Sequence, residues 1–327
     1  MRIGLDVMGG DFAPKATIAG AILARQVLPE TDHLVLFGNH ETITSQMKEQ
    51  GSDPGLFEIV HTDQMVEMGE HPVKAFQQKQ NSSIAKAFRW LQKGKIDSFA
   101  SAGNTGAMLV GAIHSVNVLK GIIRPAITSV LPKAGGGLGL LVDVGLNPDS
   151  KPDVMYQFGL LGSIYAKHVL NIHDPKVGLL NIGEEDEKGN LQTQAAFKLM
   201  KNNPDYNFVG NVEGRDLFKD NVDVVVCDGF VGNVVLKTVE AMYYQTVKRG
   251  YGNDEFFSRF NFENYGGTPI LGVNATVVVG HGISNGKTIK NMLLLSKEVY
   301  ESNMPEKIKS VLHSEVSRKI LDLDQDY

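Results

Sequence analysis

The feature that most constrains the fold of this chain is a repeated order of apolar strand, glycine-containing turn and helix. The sequence predicts strands at residues 2–7, 33–37, 57–61, 97–101, 126–131, 138–144, 177–182, 207–212, 222–228 and 270–279. It predicts helices between them at 15–28, 71–92, 105–119, 153–170, 191–200 and 233–248. Alternation of strands and helices is typical of parallel sheets, because each crossover helix returns the chain to the edge where the previous strand began. The sequence therefore predicts an α/β fold with a largely parallel sheet covered by helices on both faces.

The sequence shows no internal domain boundary. No repeat, low-complexity tract or linker rich in proline and serine divides it, so residues 1–327 are predicted to form a single α/β unit. Beyond Ser284 the pattern predicts helix to the end of the chain, in two pieces separated near Pro305. A chain of 327 residues is long enough to bury a large core.

Composition and charge exclude several classes of protein. The content of 42% hydrophobic and 21% charged residues is typical of a globular protein. The net charge of −5 leaves no basic surplus to neutralise the phosphates of a duplex, so no nucleic-acid partner is expected. No signal-peptide pattern is present, and no apolar run reaches the roughly 18 residues of a membrane span. A cytoplasmic protein with at most peripheral membrane contact is therefore expected.

Cys227 is the one cysteine of the chain. A single cysteine excludes an internal disulfide and any site that needs several thiolates. It lies in the β-branched run 222–228, which predicts burial and favours a small core residue over a nucleophile.

Glycines and polar side chains occupy four predicted strand-to-helix junctions. The junctions hold Gly9 and Gly10; Gly103, Asn104, Thr105 and Gly106; Asp228, Gly229, Gly232 and Asn233; and His281, Ser284 and Asn285. A side chain that caps the following helix explains any one of them. Together, free N–H groups at several helix starts favour an anion, such as phosphate or a carboxylate, at one edge of the sheet. No P-loop and no Gly-x-Gly-x-x-Gly pattern is present, which disfavours a nucleotide.

The loop after the predicted strand at 177–182 holds four consecutive acids, Glu184 to Glu187, followed by Lys188. Gly183 and Gly189 bracket them. Because open α/β sheets bind ligands beyond the carboxyl ends of their strands, Lys188 is the leading candidate for catalysis. The acids indicate either a magnesium site or a solvated loop face, and the second is favoured because Mg²⁺ usually takes only one or two carboxylates. An alternative set of acids for one converging site lies near predicted strand ends and comprises Asp6, Asp11, Asp143 and Asp228.

His281 is the one histidine of nine that lies inside a glycine junction. A role in proton transfer or hydrogen bonding fits an imidazole at neutral pH. A structural histidine bonded to a loop carbonyl is the alternative. His281 is therefore a second candidate for catalysis beside Lys188.

Six motifs follow one another in the sequence: Leu5–Asp11, Ser101–Ala107, Asp143–Gly145, Asn181–Asn190, Cys227–Asn233 and Tyr265–Gly267. In this order they resemble the bacterial phosphate acyltransferase family of phospholipid synthesis. The resemblance implies transfer of a fatty acyl group from acyl carrier protein to orthophosphate, giving acyl phosphate for membrane phospholipids. It also implies a fold like those of phosphotransacetylase and isopropylmalate dehydrogenase. No organic cofactor is implied, and no metal site is assigned.

The resemblance further implies a homodimer that attaches peripherally to the inner face of the membrane. Its product would then serve a glycerol-3-phosphate acyltransferase. Within the segment at about 234–265, eight aromatic residues lie between Tyr243 and Tyr265. This helical, aromatic-rich segment is predicted to be an interaction element for the acyl chain, the carrier protein, the membrane or a dimer partner. A locally packed aromatic cluster is the alternative.

Attack of orthophosphate on a thioester needs positioned positive charge and N–H donors more than a protein nucleophile. Lys188 is therefore expected to neutralise phosphate or the developing oxyanion, and Asn233 to orient the thioester carbonyl. Asn104 and Thr105 are expected to hold phosphate, with His281 as a secondary catalytic candidate. The other expected substrate-binding residues are Asp6, Gly9, Gly10, Gly103, Gly106, Gly183, Asp228, Gly229, Gly232, Ser284 and Asn285.

Three rival functions are left open by the sequence. One is a metal- and NAD-dependent hydroxy acid dehydrogenase on the related fold, for which neither a ribose-binding acid nor an aspartate metal cluster is identifiable. Another is a phosphotransacetylase that uses acyl-coenzyme A, which shares the chemistry but not the protein substrate. The third is a scaffold that binds acyl groups or phosphate without turnover.

Overall fold

The structure, a computed structural model, describes residues 1–312 and groups the chain into two compact units. Unit 1 comprises Met1–Asn117 and Asn261–Glu301. Unit 2 comprises Val118–Phe260 and the segment that starts at Ser302. The single α/β unit expected over residues 1–327 stays a prediction.

Strands and helices alternate along the described residues, as the sequence predicts. The strands are β1 (Arg2–Asp6), β2 (His33–Gly38), β3 (Glu58–His61), β4 (Ser98–Ser101), β5 (Ala126–Pro132), β6 (Leu138–Val142), β7 (Lys176–Leu180), β8 (Asn207–Val212), β9 (Val224–Val226), β10 (Thr268–Leu271) and β11 (Thr276–Val279). The α-helices are α1 (Lys15–Arg25), α2 (His40–Glu49), α3 (Pro72–Gln78), α4 (Ser83–Gln92), α5 (Thr105–Gly111), α6 (Pro152–His168), α7 (Leu191–Lys201), α8 (Gly229–Lys248) and α9 (Gly286–Glu301). Shorter 3-10 turns span Pro54–Leu56, Gly214–Asp216, Phe257–Phe260 and Phe262–Asn264, and a π-helical turn spans Ala112–Val116.

Unit 1 holds six strands in the order β3-β2-β1-β4-β11-β10. All neighbouring strands in this order run parallel except β10 and β11. Ala100 of β4 belongs to the core cluster that contains Ile18 of α1 and Ile289 of α9. Its neighbour Phe99 instead makes an edge-to-face contact with Phe88 of α4, with ring centroids 5.1 Å apart. Because successive strand residues point to opposite faces, helices cover both faces of this sheet.

Unit 2 holds five strands in the order β5-β6-β9-β7-β8. Only the β5–β6 pair is antiparallel. Helix α6 packs on β6 and β9, and α7 packs on α6 and β8. The fit of α6 is close, because a Cβ added to Gly162 would lie 2.6 Å from the side chain of Val224. The predicted largely parallel sheet is thus confirmed in both units.

Several predicted elements differ in their bounds, and three of the differences have a clear local cause. The helix predicted at 71–92 is the pair α3 and α4, because Ser82 caps α4 by accepting a hydrogen bond from the Ala85 amide at 3.3 Å. The strand predicted at 270–279 is the antiparallel pair β10 and β11, since Gly272 turns the chain with a φ of +87°. The helix predicted from residue 233 starts at Gly229, because Asp228 accepts from the Val231 amide at 2.8 Å.

The C-terminal prediction is tested only in part. Helix α9 ends at Glu301 and residues 304–312 are helical again, so the predicted break near Pro305 is confirmed. The remainder of the predicted helix lies outside the described residues. Within residues 1–312, no helix combines the length and apolar character that crossing a bilayer requires.

Candidate active site

The glycine junctions of unit 1 meet at one edge of its sheet. Strands β1, β4 and β11 run parallel and adjacent, so the loops that follow them leave from the same side. The Asp11 amide donates to the Gly282 carbonyl at 2.8 Å. A Cβ added to Gly9 would lie 2.8 Å from the Cα of Gly103. The structure therefore brings together Gly9, Gly10, Gly103 and the 281–285 loop, three of the four predicted junctions, whereas the junction at 228–233 belongs to unit 2.

Asp6 packs against these glycines, because a Cβ added to Gly9 would lie 2.3 Å from a carboxylate oxygen of Asp6. It is buried, and its carboxylate accepts from the Met8 amide at 3.0 Å and from the Ser101 hydroxyl at 2.7 Å. Burial raises the pKa of the Asp6 carboxyl, and hydrogen bonds from Ser83 and Ser101 oppose the shift. Ser101, which the sequence analysis did not select, also accepts from the Gly103 amide at 2.9 Å. This arrangement favours a positioning role for Asp6 over the expected substrate contact.

The side chain of Asn104 is already fully used. Its carbonyl oxygen caps α5 by accepting from the Ala107 amide at 2.9 Å. Its amide nitrogen lies 3.0, 3.2 and 3.0 Å from the carbonyl oxygens of Glu67, Met68 and Glu70. Asn104 thus clamps the 67–70 loop onto α5, which disfavours the expected phosphate contact through its amide. Of the two residues assigned to phosphate, Thr105 is the one that is exposed.

The 281–285 loop is held by its own polar side chains. The His281 ring packs against the Phe262 ring, with centroids 4.9 Å apart and planes at 45°. The Ser284 hydroxyl donates to the His281 carbonyl at 2.5 Å. Asn285 caps α9 by accepting from the Thr288 amide at 3.0 Å. These contacts agree with capping and loop packing, and a catalytic role of His281 stays a prediction.

In unit 2, Lys188 stands on an ordered loop at the carboxyl edge of β7. Its ammonium nitrogen lies 3.9 Å from a carboxylate oxygen of Glu185, and its side chain is 45% exposed. The side-chain amide of Asn181 donates to the Lys188 carbonyl at 3.0 Å. A Cβ added to Gly183 would lie 2.9 Å from Cγ of Lys188, so this glycine lets the loop close on the lysine stem. The loop therefore presents a weakly paired cation to solvent.

A second asparagine, Asn211, was missed by sequence reasoning. It is buried on β8, accepts from the Asn181 amide at 3.0 Å and donates to the Glu185 carbonyl at 2.8 Å. The turn from Glu185 to Lys188 is thus fixed by two neighbouring side-chain amides. An asparagine in a strand pattern was the one available signal, because polar residues inside a sheet are hydrogen-bonded when buried.

Three of the four acids of the loop, Glu184, Glu185 and Asp186, are engaged in ion pairs. Asp186 pairs with Lys201, and Glu184 lies 3.5 Å from Arg215. Within residues 1–312, carboxylate oxygens of Glu184, Glu213 and Asp216 lie within 4.8 Å of one another, but Arg215 and Lys219 pair with this group. A network neutralised by its own cations supports the solvated loop face over the magnesium site.

The start of α8 packs against a turn that begins at Asp143. The Gly229 amide donates to the Asn147 carbonyl at 2.8 Å. The Asn233 side-chain amide donates to the Val144 carbonyl at 3.2 Å. A Cβ at Gly232 would lie 1.8 Å from the Asp143 carbonyl oxygen, so only glycine fits there. Gly229, Gly232 and Asn233 are thereby assembled beside this turn.

Asp143 itself is the unit 2 counterpart of Asp6. It is fully buried, and its carboxylate accepts from the amides of Ile127 at 3.1 Å and Asn147 at 2.7 Å. Burial raises its pKa and these hydrogen bonds oppose the shift. Of the four acids considered as one converging set, Asp6 and Asp11 belong to unit 1, and Asp143 and Asp228 belong to unit 2.

Solved structures with the same fold include a phosphotransacetylase and a dehydrogenase. The EutD phosphotransacetylase from Staphylococcus aureus superposes with a TM-score of 0.61 at 14% identity, covering 92% of this chain and 94% of its own. A 4-hydroxythreonine-4-phosphate dehydrogenase from Burkholderia phymatum gives 0.52 at 14% identity, covering 91% and 98%. At this identity the likeness concerns the fold alone, and it confirms the predicted fold class.

Sequence comparison identifies the family. The family described as fatty acid synthesis protein matches residues 1–248. A phosphate acyltransferase from Dictyoglomus thermophilum is 41% identical over 326 residues, covering 94% of this chain and 96% of its own. A phosphate acyltransferase from Desulfitobacterium hafniense is 43% identical over 331 residues, covering 95% and 98%. The resemblance noted in the six sequence motifs is confirmed, and the chain belongs to the phosphate acyltransferase family.

Proposed function

We propose that this protein transfers a fatty acyl group from acyl carrier protein to orthophosphate, releasing acyl phosphate and the free carrier. The observation that carries the proposal is similarity along nearly the whole chain to relatives named phosphate acyltransferase, at 41% and 43% identity. The product is a mixed anhydride, which a glycerol-3-phosphate acyltransferase would use as its acyl donor.

In the proposed reaction a phosphate oxygen attacks the carbonyl carbon of the thioester. The C–O bond forms, the C–S bond breaks, and the thiol of the carrier leaves with a proton. Lys188 supplies positive charge to the phosphate or to the oxyanion, and the Asn233 amide orients the carbonyl. The weak pairing of Lys188 with Glu185, at 3.9 Å, leaves its ammonium group accessible for this role.

Direct transfer is favoured over an acyl-enzyme. Cys227 is buried, and burial raises the pKa of its thiol well above its ordinary value, with Asp228 and Asp143 adding to the shift. A thiol held protonated inside the core is a poor nucleophile.

A phosphotransacetylase activity on acyl-coenzyme A is the second candidate, because the fold matches a phosphotransacetylase with a TM-score of 0.61. The two candidates share their chemistry and differ in the thiol that carries the acyl group. Turnover of the same acyl chain on coenzyme A and on the carrier protein separates them.

The homodimer stays a proposal, and helix α8 supports it. Only Gly229 and Gly232 of its 20 residues are buried, while Phe230, Val234 and Met242 are more than half exposed. A second copy of the chain would cover this apolar surface. Sedimentation of Val234→Glu and Met242→Glu is expected to show a shift to monomer, with Lys198→Glu on α7 as the control. Unchanged sedimentation of both α8 variants would exclude this surface.

Peripheral membrane attachment also stays a proposal. Phe260 makes edge-to-face contacts with Phe256 and Phe218, with ring centroids 5.1 and 5.2 Å apart. These contacts support the alternative of a locally packed aromatic cluster. Tyr244, Tyr251 and Phe257 are the aromatic side chains of the 234–265 segment that are exposed. Liposome pelleting of Tyr251→Ser and Phe257→Ser tests the segment, since equal pelleting of wild type and variants would reject it as the anchor.

The main proposal is tested by incubating the purified protein with palmitoyl-carrier protein and phosphate. Hydroxylamine traps acyl phosphate as a hydroxamate, so product is expected only when phosphate is present. Absence of trapped product from folded protein would reject the proposed reaction, and equal or faster turnover of palmitoyl-coenzyme A would favour the second candidate.

A further inference from the structure

Large apolar side chains are exposed on three loops at the carboxyl edge of the unit 1 sheet. Phe12 follows β1, Met65 and Met68 follow β3, and Ile283 follows β11. Their exposed fractions are 55%, 40%, 45% and 53%. Because β1, β3 and β11 belong to the parallel part of the sheet, these loops leave from the same side. We call these four residues the edge patch.

The backbone beneath the edge patch is tied together. The Asp11 amide, next to Phe12, donates to the Gly282 carbonyl, next to Ile283, at 2.8 Å. A Cβ at Gly282 would lie 2.9 Å from the terminal methyl group of Met68. Asn104 holds the Met68 carbonyl at 3.2 Å. The apolar side chains therefore stand on a fixed frame beside the glycines of the candidate active site.

The charges around the edge patch decide what kind of ligand fits. The three stretches 8–13, 62–71 and 280–285 contain four acids and no lysine or arginine. The acids are Asp11, Asp63, Glu67 and Glu70. Lys79, at the end of α3, donates to the Met65 carbonyl at 3.0 Å and pairs with Glu70, so acids still outnumber this cation. An anionic membrane surface or an acidic carrier protein would be repelled here, whereas a neutral hydrocarbon chain carries no such penalty. Methionine side chains adapt their shape to a flexible apolar ligand.

We propose that the edge patch binds the acyl chain of the thioester substrate. The inference rests on the proposed function, because only an acyl-transferring enzyme has such a chain to place beside these glycines. The patch contacts methylene groups distant from the carbonyl, so its contribution grows with chain length and is absent for short chains.

The test compares palmitoyl- and butyryl-carrier protein, which differ only in the chain, with the variants Phe12→Ser and Ile283→Ser. We expect the KM for the palmitoyl substrate to rise roughly tenfold and that for the butyryl substrate to change less than about twofold, since each variant removes one apolar contact. Val27→Ser is the matched control, because Val27 is 56% exposed but follows α1 at the opposite edge. It is expected to leave both KM values unchanged.

The proposal is overturned if the variants change the KM for both substrates equally, or change neither KM value. So does a change of oligomeric state in Phe12→Ser, because a second copy would then be the occupant. If the wild-type protein forms no acyl phosphate from either substrate, the proposed function fails. Calorimetric binding then still tests the edge patch. The wild-type protein must bind palmitoyl-carrier protein more tightly than the butyryl form, and both variants must lose this preference.

Discussion

The side-chain amide of Asn181 donates to the side-chain carbonyl of Asn211 at 3.0 Å, joining the carboxyl end of β7 to β8. Each of them also holds the backbone of the Lys188 loop, Asn181 through the Lys188 carbonyl at 3.0 Å and Asn211 through the Glu185 carbonyl at 2.8 Å. The position of the candidate catalytic lysine thus depends on two amides that touch no substrate in the proposed reaction.

Asn211→Leu keeps the shape of this side chain and removes its hydrogen bonds. We expect kcat/KM for phosphate to fall by about tenfold or more, because a small displacement of a catalytic group strongly lowers the rate. Asn207→Leu, at the other end of β8, is the control, since the Asn207 side chain donates to Asp174 at 2.8 Å and not to the Lys188 loop. Steady-state rates with palmitoyl-carrier protein measure both. Equal losses in the two variants would point to a general weakening of β8.

Lys188→Ala removes the cation itself. We expect a loss of about 100-fold or more in kcat, the usual effect of deleting one electrostatic contact to the transition state. Lys201→Ala is the matched control, because Lys201 pairs with Asp186 of the same loop. It is expected to stay within about threefold of wild type. If folded Lys188→Ala keeps near-wild-type turnover, the catalytic assignment fails.

Cys227 is expected to be inert in the folded protein. Its burial and raised thiol pKa keep it protonated and inaccessible, so thiol reagents at pH 8 should react only after unfolding. Cys227→Ala is expected to retain activity within about threefold, since the proposed direct transfer forms no acyl-enzyme on it. Mass spectrometry of alkylated protein checks the reactivity of the thiol, and steady-state kinetics check the activity of Cys227→Ala. A folded Cys227→Ala without activity would reinstate a covalent intermediate.

Gly232→Ala is expected to destabilise the protein by about 3 kcal/mol, because the new methyl group would overlap the Asp143 carbonyl oxygen in a packed region. Chemical unfolding measures the change in the free energy of unfolding. Gly214→Ala is the control, since nothing lies within 4 Å of a Cβ there. A small effect in Gly232→Ala would show that the turn at Asp143 can move away from α8.

The sequence predicts the parts of this molecule that local patterns determine. The succession of strands and helices along the chain, the glycine junctions and the loop position of Lys188 follow from periodicity and from residues adjacent in the chain. The role of Asn104 does not follow, because its amide partners lie 34 to 37 residues earlier. An asparagine at this position is equally compatible with a helix cap, a clamp on a neighbouring loop and a phosphate ligand.

Asn211 illustrates the same limit in unit 2. Its partner, the Glu185 carbonyl, lies 26 residues earlier and meets it only because β7 and β8 pair in parallel. Asp6 was selected from its place at a strand end, but its burial against Gly9 is a property of packing. Side-chain function in this fold is therefore set by contacts across loops, which a linear pattern does not contain.

Asp32 provides a pH-dependent test of unit 1. Burial acts to raise the pKa of this carboxyl, but hydrogen bonds from Lys297 and the N-terminal amine at 2.7 and 2.8 Å outweigh it and hold the pKa below its ordinary value. A carboxyl with a depressed folded-state pKa stabilises the protein above its unfolded pKa of about 4, and this contribution is lost as the pH falls through the folded value.

Asp32→Asn is therefore expected to lower the free energy of unfolding at pH 7 by about 3 kcal/mol, the usual result of removing one partner from a buried pair. Urea unfolding from pH 7 down to pH 3 should show the difference from wild type shrinking below pH 4, whereas Glu30→Gln, an exposed neighbour, should match wild type throughout. A difference that is constant with pH would mean that packing and not charge ties β2 to α9.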